Sequence, residues 1–230
     1  MQLKFEDRRE AGAYLAEQLG AYADDPNVLV LALPRGGVPV GYEVARKLRA
    51  PLDVFTVRKL GVPGHEEYAM GAIASGGVRV LNDYAIEQLN ISQEEIEAVI
   101  ADEMEELERR ERLYRDGRPA PDIEGRTVLL VDDGMATGSS MAAAIKALRL
   151  HNPGKVVVAV PTASRRTSEE FEPFVDDIVC AITPEPFMAV GVWYERFEQT
   201  TDDEVRALLR EAQSFGRAPE RKAGHEDQRA

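Results

Sequence analysis

The feature that most constrains the fold is a set of short segments in which nearly every residue is apolar. These segments span 28–33, 127–131 and 156–160, and two less uniform ones span 52–57 and 176–182. Strands that are apolar on both faces are typical of a parallel sheet covered by helices on both sides. The sequence therefore predicts an α/β fold with a doubly wound, mainly parallel sheet.

Segments with helical periodicity alternate with these strands. Asp7 is placed to cap a first helix, Pro39 opens a second after the first strand, and Ser92 caps a long helix that runs to about Tyr114. The long helix is dense in glutamate, and its acid–arginine pairs at i,i+4 predict a solvated face. Strand–helix–strand alternation of this kind favours parallel pairing through crossover connections.

Composition limits the class of protein. The chain has 230 residues and a formal net charge of −13, much of it from 93–116, so nucleic acid is not an expected partner. Its single cysteine, Cys180, can form no internal disulfide. The sequence shows no apolar signal core and no uncharged stretch that approaches the length of a membrane span. We expect a cytoplasmic protein that does not bind membranes.

Domain organisation follows from the same patterns. We expect a single domain over residues 1–215, because one chain of this length can bury one sizeable core. Residues 216–230 are too polar to pack and are predicted to form a disordered tail. The glycine-rich stretch 61–77 predicts a long mobile excursion that ends in a short hairpin through 78–81.

The most informative motif is the strand and loop from Val128 to Ser140. Asp132 and Asp133 stand at the carboxyl end of a buried parallel strand, the edge at which open α/β sheets bind ligands. Gly134 and Gly138 allow close approach of the backbone. The groups that would converge on a phosphate are the amides and hydroxyls of the segment Ala136, Thr137, Gly138, Ser139 and Ser140.

Two carboxylates beside a phosphate loop suit a sugar phosphate. Carboxylates accept hydrogen bonds from vicinal hydroxyls and help to hold a hydrated Mg²⁺. Phosphate at one end and a diol at the other describe a ribose 5-phosphate. The alternative is a helix N-terminus with structural glycines. The Rossmann pattern G-x-G-x-x-G and the Walker pattern G-K-[ST] are both absent.

Residues 131–139, Val-Asp-Asp-Gly-Met-Ala-Thr-Gly-Ser, resemble the phosphoribosyl pyrophosphate (PRPP) motif of the type I phosphoribosyltransferases. The resemblance implies that Asp132 and Asp133 contact the ribose 2′ and 3′ hydroxyls and reach Mg²⁺ indirectly, through water or PRPP. It also implies a flexible loop and a small hood from parts of 1–27 and 183–200. The acidic helix 92–115 would then be an insertion.

Two further stretches fit this family. Pro34-Arg35-Gly36-Gly37 follows the first strand, where the family has its pyrophosphate loop, and an ordinary glycine turn is the alternative. Arg58 and Lys59 stand where its flexible catalytic loop begins. Basic groups there would approach the pyrophosphate, and plain solvated cations are the alternative.

The hood offers candidates for stacking on a base. Residues 185–195 resemble the hood segment of the 6-oxopurine enzymes, which makes Phe187, Trp193 and Tyr194 stacking candidates. The alternative is that these aromatics pack a small hood core. Ala136 occupies a place where 6-oxopurine enzymes carry a carboxylate, so the acceptor stays open. His65 receives no role.

The resemblance implies a Mg²⁺-dependent transferase of nucleotide metabolism, compatible with a homodimer. Pyrophosphate would be displaced from PRPP by a nitrogenous base or amine. A non-catalytic PRPP sensor is the alternative, because the motif is the same in both. A phosphosugar hydrolase or mutase is less favoured, since the sequence offers no evident nucleophile or metal cluster.

Overall fold

The computed structural model describes residues 4–215, so the predicted disordered tail, 216–230, lies outside the described residues. The strands are β1 (Val28–Ala32), β2 (Leu52–Val54), β3 (Val57–Val62), β4 (His65–Ala74), β5 (Val78–Leu81), β6 (Thr127–Val131), β7 (Lys155–Thr162) and β8 (Asp177–Ile182). The helices are α1 (Arg8–Gln18), α2 (Gly37–Leu48), α3 (Asp83–Leu89), α4 (Gln93–Arg115), α5 (Ser139–Arg149), α6 (Arg165–Phe171) and α7 (Asp202–Glu211).

The centre of the molecule is a five-stranded parallel sheet in the order β2-β1-β6-β7-β8. Alternate residues of β1 enter opposite cores: Val28 and Val30 pack with α1, α2 and α7, whereas Leu29 and Leu31 pack with α5. Both faces of the sheet are therefore covered, which is why β1 is apolar at every position. The predicted doubly wound α/β fold is confirmed.

The glycine-rich stretch is not an irregular excursion. Strands β3, β4 and β5 form a separate antiparallel sheet that packs on α4 through Leu60, Met70 and Ile73. A Cβ atom at Gly71 would lie 2.5 Å from the carbonyl oxygen of Val80, so glycine permits close strand approach there. The prediction of an irregular segment was wrong, because glycines such as Gly71 lie in a paired strand. The predicted hairpin strand 78–81 is present as β5.

Other boundaries differ modestly from the predicted ones. Strand β2 ends at Val54, since Val57 already belongs to the second sheet. Helix α4 begins with the capping box of Ser92 and Glu95 and extends to Arg115. Its exposed face carries Glu108 and Arg112, an acid–arginine pair at i,i+4 of the predicted kind, at 3.2 Å. Of the helices in residues 4–215, none combines the length and the apolarity needed to cross a bilayer.

Candidate functional site

Asp132 and Asp133 leave the carboxyl end of β6 and lie half-buried at the edge of the sheet. The neighbouring strand β1 ends at the same level, because the amide of Leu33 donates to the carbonyl oxygen of Val131 at 2.8 Å. The turn after β1 and the loop after β6 consequently start side by side. Parallel strands bring their carboxyl ends to one edge, so both predicted ligand segments meet there.

The turn Arg35-Gly36-Gly37 is in direct contact with the acid pair. A Cβ atom at Gly36 would lie 2.1 Å from Oδ2 of Asp133, and one at Gly37 would lie 2.9 Å from Cα of Asp132. The Pro34–Arg35 peptide bond is cis. The structure thus brings the two predicted segments within van der Waals contact, and only glycine fits at the contact.

Arg35 is held at the rim of this site by a second acid. Its Nη1 lies 3.6 Å from Oδ1 of Asp202, the first residue of α7. The Tyr114 hydroxyl donates to the same oxygen at 2.7 Å, so α4 also supports this carboxylate. Burial and the hydrogen bond to Asp202 raise the pKa of the Tyr114 phenol, which therefore stays a donor.

The loop 134–140 is held by hydrogen bonds to neighbouring segments on one side and is exposed on the other. The Met135 amide donates to the carbonyl oxygen of Thr162 at 2.9 Å, and the Thr167 hydroxyl donates to that of Ala136 at 2.7 Å. Gly138 precedes α5 with φ +71, and no side chain caps the first amides of this helix within residues 4–215. Four residues of the loop are exposed, namely Ala136, Thr137, Ser139 and Ser140. Uncapped amides beneath exposed hydroxyls form a place where an anion can bind.

The surroundings of the acid pair disfavour its negative charge. Burial and then the charge of Asp133 raise the pKa of Asp132 well above its ordinary value. Burial likewise raises the pKa of Asp133, although Arg8 partly offsets the effect. Arg8 Nε donates to Asp133 Oδ2 at 2.8 Å. Two adjacent carboxylates with one enclosed cation favour a ligand that donates hydrogen bonds or brings positive charge.

Arg8 is the residue of this site that the sequence did not indicate. It occupies the first turn of α1, where Asp7 accepts from the amides of Arg9 and Glu10 as the predicted N-cap. The structure joins it to Asp133, which lies 125 positions later. A single sequence carries no periodic signal over such a separation, so only the fold could reveal the pair.

Two of the three stacking candidates are buried. Trp193 is 7% exposed and Tyr194 is 2% exposed, and the Tyr194 ring packs against Phe5 in a small core. The Tyr194 hydroxyl donates to the main-chain oxygen of Asp133 at 2.5 Å. The interpretation that these two residues stack on a base is therefore corrected, because their rings are covered by protein. Phe187 is half-buried and is therefore more exposed than Trp193 and Tyr194.

The predicted loop cations lie on β3 and face opposite ways, as successive strand residues do. Arg58 Nε donates to Glu103 of α4 at 2.6 Å. Lys59 donates to the carbonyl oxygen of Glu66 at 2.6 Å and lines a cavity of about 500 Å³. Ser139 and Ser140 line the same cavity. Lys59 is thus near the loop 134–140, whereas Arg58 points to α4.

The two carboxylates of the acid pair fit the implied Mg²⁺ only if water and substrate oxygens also contact the ion. Asp132 and Asp133 offer carboxylate oxygens that could hold a hydrated Mg²⁺ through its water ligands. In the part of the chain that the structure describes, no group of three or more acidic, histidine or cysteine side chains is arranged to hold a metal. Magnesium at this place would depend on substrate oxygens and water for its ligands, and the two carboxylates would hold it indirectly, as predicted.

Comparison with known proteins agrees with this geometry. The model of the phosphoribosyl transferase domain family matches residues 4–190. Two Mycobacterium tuberculosis proteins that are provisionally named phosphoribosyl transferases, from strains CDC 1551 and H37Rv, are each 47% identical over 205 residues. Each match covers 89% of this chain and 46% of the relative, so the chain spans about half the length of these relatives.

A crystal structure of the protein TT1426 from Thermus thermophilus superposes with a TM-score of 0.80 at 44% identity. The match covers 91% of this chain and 99% of that one, so the whole architecture is shared. With the family match over most of its length, the chain belongs to the phosphoribosyl transferase domain family, as its resemblance to the type I phosphoribosyltransferases predicts.

Proposed function

We propose that this chain is a Mg²⁺-dependent phosphoribosyltransferase that binds PRPP and displaces its pyrophosphate with a nitrogenous base or amine. One observation carries the proposal: Asp132 and Asp133 contact the turn Gly36–Gly37 on one side and continue into an open amide loop on the other. The turn, the acid pair and the loop follow one another in the same order as the pyrophosphate, the diol and the 5′-phosphate of PRPP.

Each segment has one task in this proposal. The amides and hydroxyls of 136–140 bind the 5′-phosphate, and the carboxylates of Asp132 and Asp133 accept from the ribose hydroxyls. The turn 35–37 holds the pyrophosphate with its backbone amides, and the Arg35 guanidinium can pair with phosphate oxygens. Asp132 and Asp133 would help to hold Mg²⁺, which would neutralise the negative charge of the departing pyrophosphate.

The chemistry demands positioning more than covalent participation. A nitrogen of the acceptor forms a bond to ribose C1 as the bond from C1 to the pyrophosphate oxygen breaks, and the departing electron pair stays with pyrophosphate. A proton of the acceptor nitrogen is lost to water. The protein aligns the reactants and stabilises the negative charge that develops on the leaving group. Lys59, in the cavity beside Ser139, is our candidate for adding positive charge.

The acceptor is the least constrained part of the proposal. Phe187 is the stacking candidate with an incompletely covered ring, and a flat base suits it. The exposed loop residue Ala136 carries no carboxylate that could exchange a proton with a 6-oxopurine. We therefore include pyrimidines and simple amines among the acceptors. Such a reaction would belong to cytoplasmic nucleotide metabolism.

Calorimetric titration of PRPP with and without Mg²⁺ tests the binding half of the proposal. We expect saturable binding that requires Mg²⁺ and is abolished in the double variant Asp132→Asn/Asp133→Asn. The absence of both heat and thermal stabilisation in the unaltered protein would refute it.

A screen for pyrophosphate release across purines, pyrimidines and amines tests the transfer half. Tight PRPP binding with no release for any acceptor would identify the non-catalytic sensor instead.

A further inference from the structure

The Arg8 side chain joins three parts of the chain that lie far apart in sequence. Its Nε donates to Asp133 Oδ2 at 2.8 Å, and its Nη1 donates to the carbonyl oxygen of Glu198 at 2.7 Å. The guanidinium carbon lies 3.9 Å from the centroid of the Phe197 ring. Only 12% of the Arg8 side chain is exposed. An enclosed cation with three partners of different kinds is held in one orientation.

We propose that Arg8 is a positioning residue for the ribose-binding carboxylate. In this role it turns one oxygen of Asp133 toward the protein and leaves the other for the ligand. It also fixes the hood segment 197–198 relative to that carboxylate. The inference rests on the proposed function, because it concerns how the same site holds PRPP.

The two oxygens of Asp133 have different surroundings. Oδ2 receives the Arg8 bond and is closed off by Gly36, whose Cβ position would lie 2.1 Å away. Oδ1 makes no hydrogen bond within the described residues 4–215. A ribose hydroxyl that approaches Asp133 would thus donate a hydrogen bond to Oδ1, while Arg8 keeps the carboxylate from rotating.

The hood reaches Asp133 by a second route. The Tyr194 hydroxyl donates to the main-chain oxygen of Asp133, and the Tyr194 ring stacks on Phe197 with centroids 4.9 Å apart. Arg8 lies on Phe197 and bonds to Glu198, so side chain and main chain of Asp133 are tied to the same segment. The ribose site and the hood are therefore built around one carboxylate.

Arginine suits this position in a way that lysine does not. A planar guanidinium can donate from Nε and Nη1 in two directions and still stack on an aromatic ring. A lysine ammonium would keep the charge and lose this combination. Arg8→Lys should therefore retain part of the function, whereas Arg8→Gln should lose more of it.

Calorimetric titration of Mg²⁺–PRPP into matched variants tests the inference. We expect Arg8→Gln to weaken affinity by roughly 10- to 100-fold, the size of a lost hydrogen bond to a charged group, and Arg8→Lys to fall between. The control is Arg9→Gln, the neighbouring arginine, which is 52% exposed and lies 3.5 Å from Glu43. Its affinity should stay within about twofold of the unaltered protein.

Two readouts separate positioning from a general structural effect. Inorganic phosphate, which would bind to the loop 136–140 or the turn 35–37 and has no hydroxyls to donate to Asp133 as ribose does, should bind Arg8→Gln and the unaltered protein equally. In the background of Asp133→Asn, Arg8→Gln should cost little further PRPP affinity, because both variants remove one interaction. Weakened phosphate binding in parallel, or fully additive losses of PRPP affinity, would overturn the inference.

Unchanged PRPP affinity in Arg8→Gln would overturn it as well. If Arg8→Gln does not fold, Arg8→Lys and Phe197→Leu take its place, and undiminished affinity in both counts against the inference. An unaltered protein that fails to bind PRPP would instead refute the proposed function and with it this role. If the unaltered protein binds PRPP and the Arg8 variants bind it with equal affinity, only the role of Arg8 is refuted.

Discussion

A Cβ atom on Gly36 would lie 2.1 Å from Oδ2 of Asp133, a distance at which no side chain can exist without displacement. The backbone of Gly36 is helical, with φ −60 and ψ −32, and alanine adopts this conformation without strain. The requirement for glycine at this position is therefore steric. It is imposed by the carboxylate of another loop, and it joins the two halves of the candidate site.

Gly36→Ala should accordingly damage binding more than stability. We expect the added methyl group to displace Asp133 and to weaken Mg²⁺–PRPP affinity by about tenfold or more, as one lost charged hydrogen bond would. Gly20→Ala is the control, because nothing lies within 4 Å of its Cβ position. Calorimetry on both variants checks the prediction, and equal affinities would contradict it.

Asp132→Asn should move binding and stability in opposite directions. The folded pKa of Asp132 is raised, so the carboxyl binds its proton more tightly in the folded chain than in the unfolded one, where its pKa is about 3.9. The free energy of unfolding then decreases as the pH rises from about 4 through the folded pKa.

Asparagine cannot ionise, so the variant does not lose free energy of unfolding as the pH rises. At pH 8 we expect Asp132→Asn to unfold at the same or a higher temperature than the unaltered protein, and the difference should narrow toward pH 4. PRPP affinity should fall in the same variant. The exposed Asp102→Asn is the control, with no change in either quantity. A variant that is less stable at pH 8 would contradict the expected sign.

Alanine substitutions at two glycines with similar backbone angles distinguish the effect of conformational strain from that of packing. Gly138 has φ +71 and Gly125 has φ +68, but a Cβ at Gly138 would lie 2.4 Å from the Phe171 ring whereas Gly125 faces open space. Alanine should cost about 1–2 kcal/mol at either position for the left-handed backbone. Gly138→Ala should cost a further ~1–3 kcal/mol for overpacking. Denaturant unfolding measures both, and equal losses would show that Phe171 yields freely.

Arg115 anchors helix α4 to the central sheet. It is buried, and it bonds to Asp53 at 3.1 Å, to the carbonyl oxygen of Val54 at 3.1 Å and to Glu111 at 3.2 Å. Burial raises the pKa of Asp53 even beside this arginine. The ionised form of Asp53 therefore depends on the positive charge of Arg115.

Arg115→Met should destabilise the protein by about 3–5 kcal/mol, because it leaves two carboxylates without their partner. Arg112→Met is the control on the same helix, since its pair with Glu108 is exposed and worth at most ~1 kcal/mol. Denaturant unfolding compares the two, and similar losses would argue against the anchor.

Asp116 should contribute stability that depends on pH. It accepts from Arg206 at 2.9 Å and from Arg210 at 2.6 Å, which tie the end of α4 to α7, and these hydrogen bonds lower the pKa of Asp116 to about 2. A lowered folded pKa gives stability that is present above about pH 4 and lost as the pH falls to about 2.

Asp116→Asn keeps the left-handed backbone, φ +49, that asparagine tolerates. It should lower the melting temperature at pH 7 and have no effect near pH 2. A difference that persists at pH 2 would point to packing rather than charge.

Local patterns were sufficient for the central sheet and for the main acid motif. Strand β1 is apolar throughout because both its faces are covered, and Ser92 begins α4 with a local capping box. The segment Asp132–Ser140 is contiguous, so its chemistry is readable without knowing the fold. Features that rest on neighbouring residues in the chain are those that a single sequence can reveal.

Features that rest on distant pairing were missed. The sheet β3–β5 has glycine at Gly61 and Gly71, which locally indicate a loop and whose role depends on the opposite strand. The short helices α3 and α6, seven residues each, are too brief for a periodic pattern. Tyr194 is an aromatic residue in a plausible place for stacking, and only its burial under Phe5 shows otherwise.

The order in which the chain is made bears on the Arg8–Asp133 pair. Arg8 is translated before its partners, because Asp133 follows 125 positions later and Glu198 follows 190 positions later. None of its partners exists while the first strands are being synthesised, and long-range contacts of this kind form late. Residues as far as Glu198 must leave the ribosome before Arg8 can contact Asp133 and Glu198 together. Stalled or shortened products that end before Glu198 would contain the segment Asp132–Ser140 without these contacts.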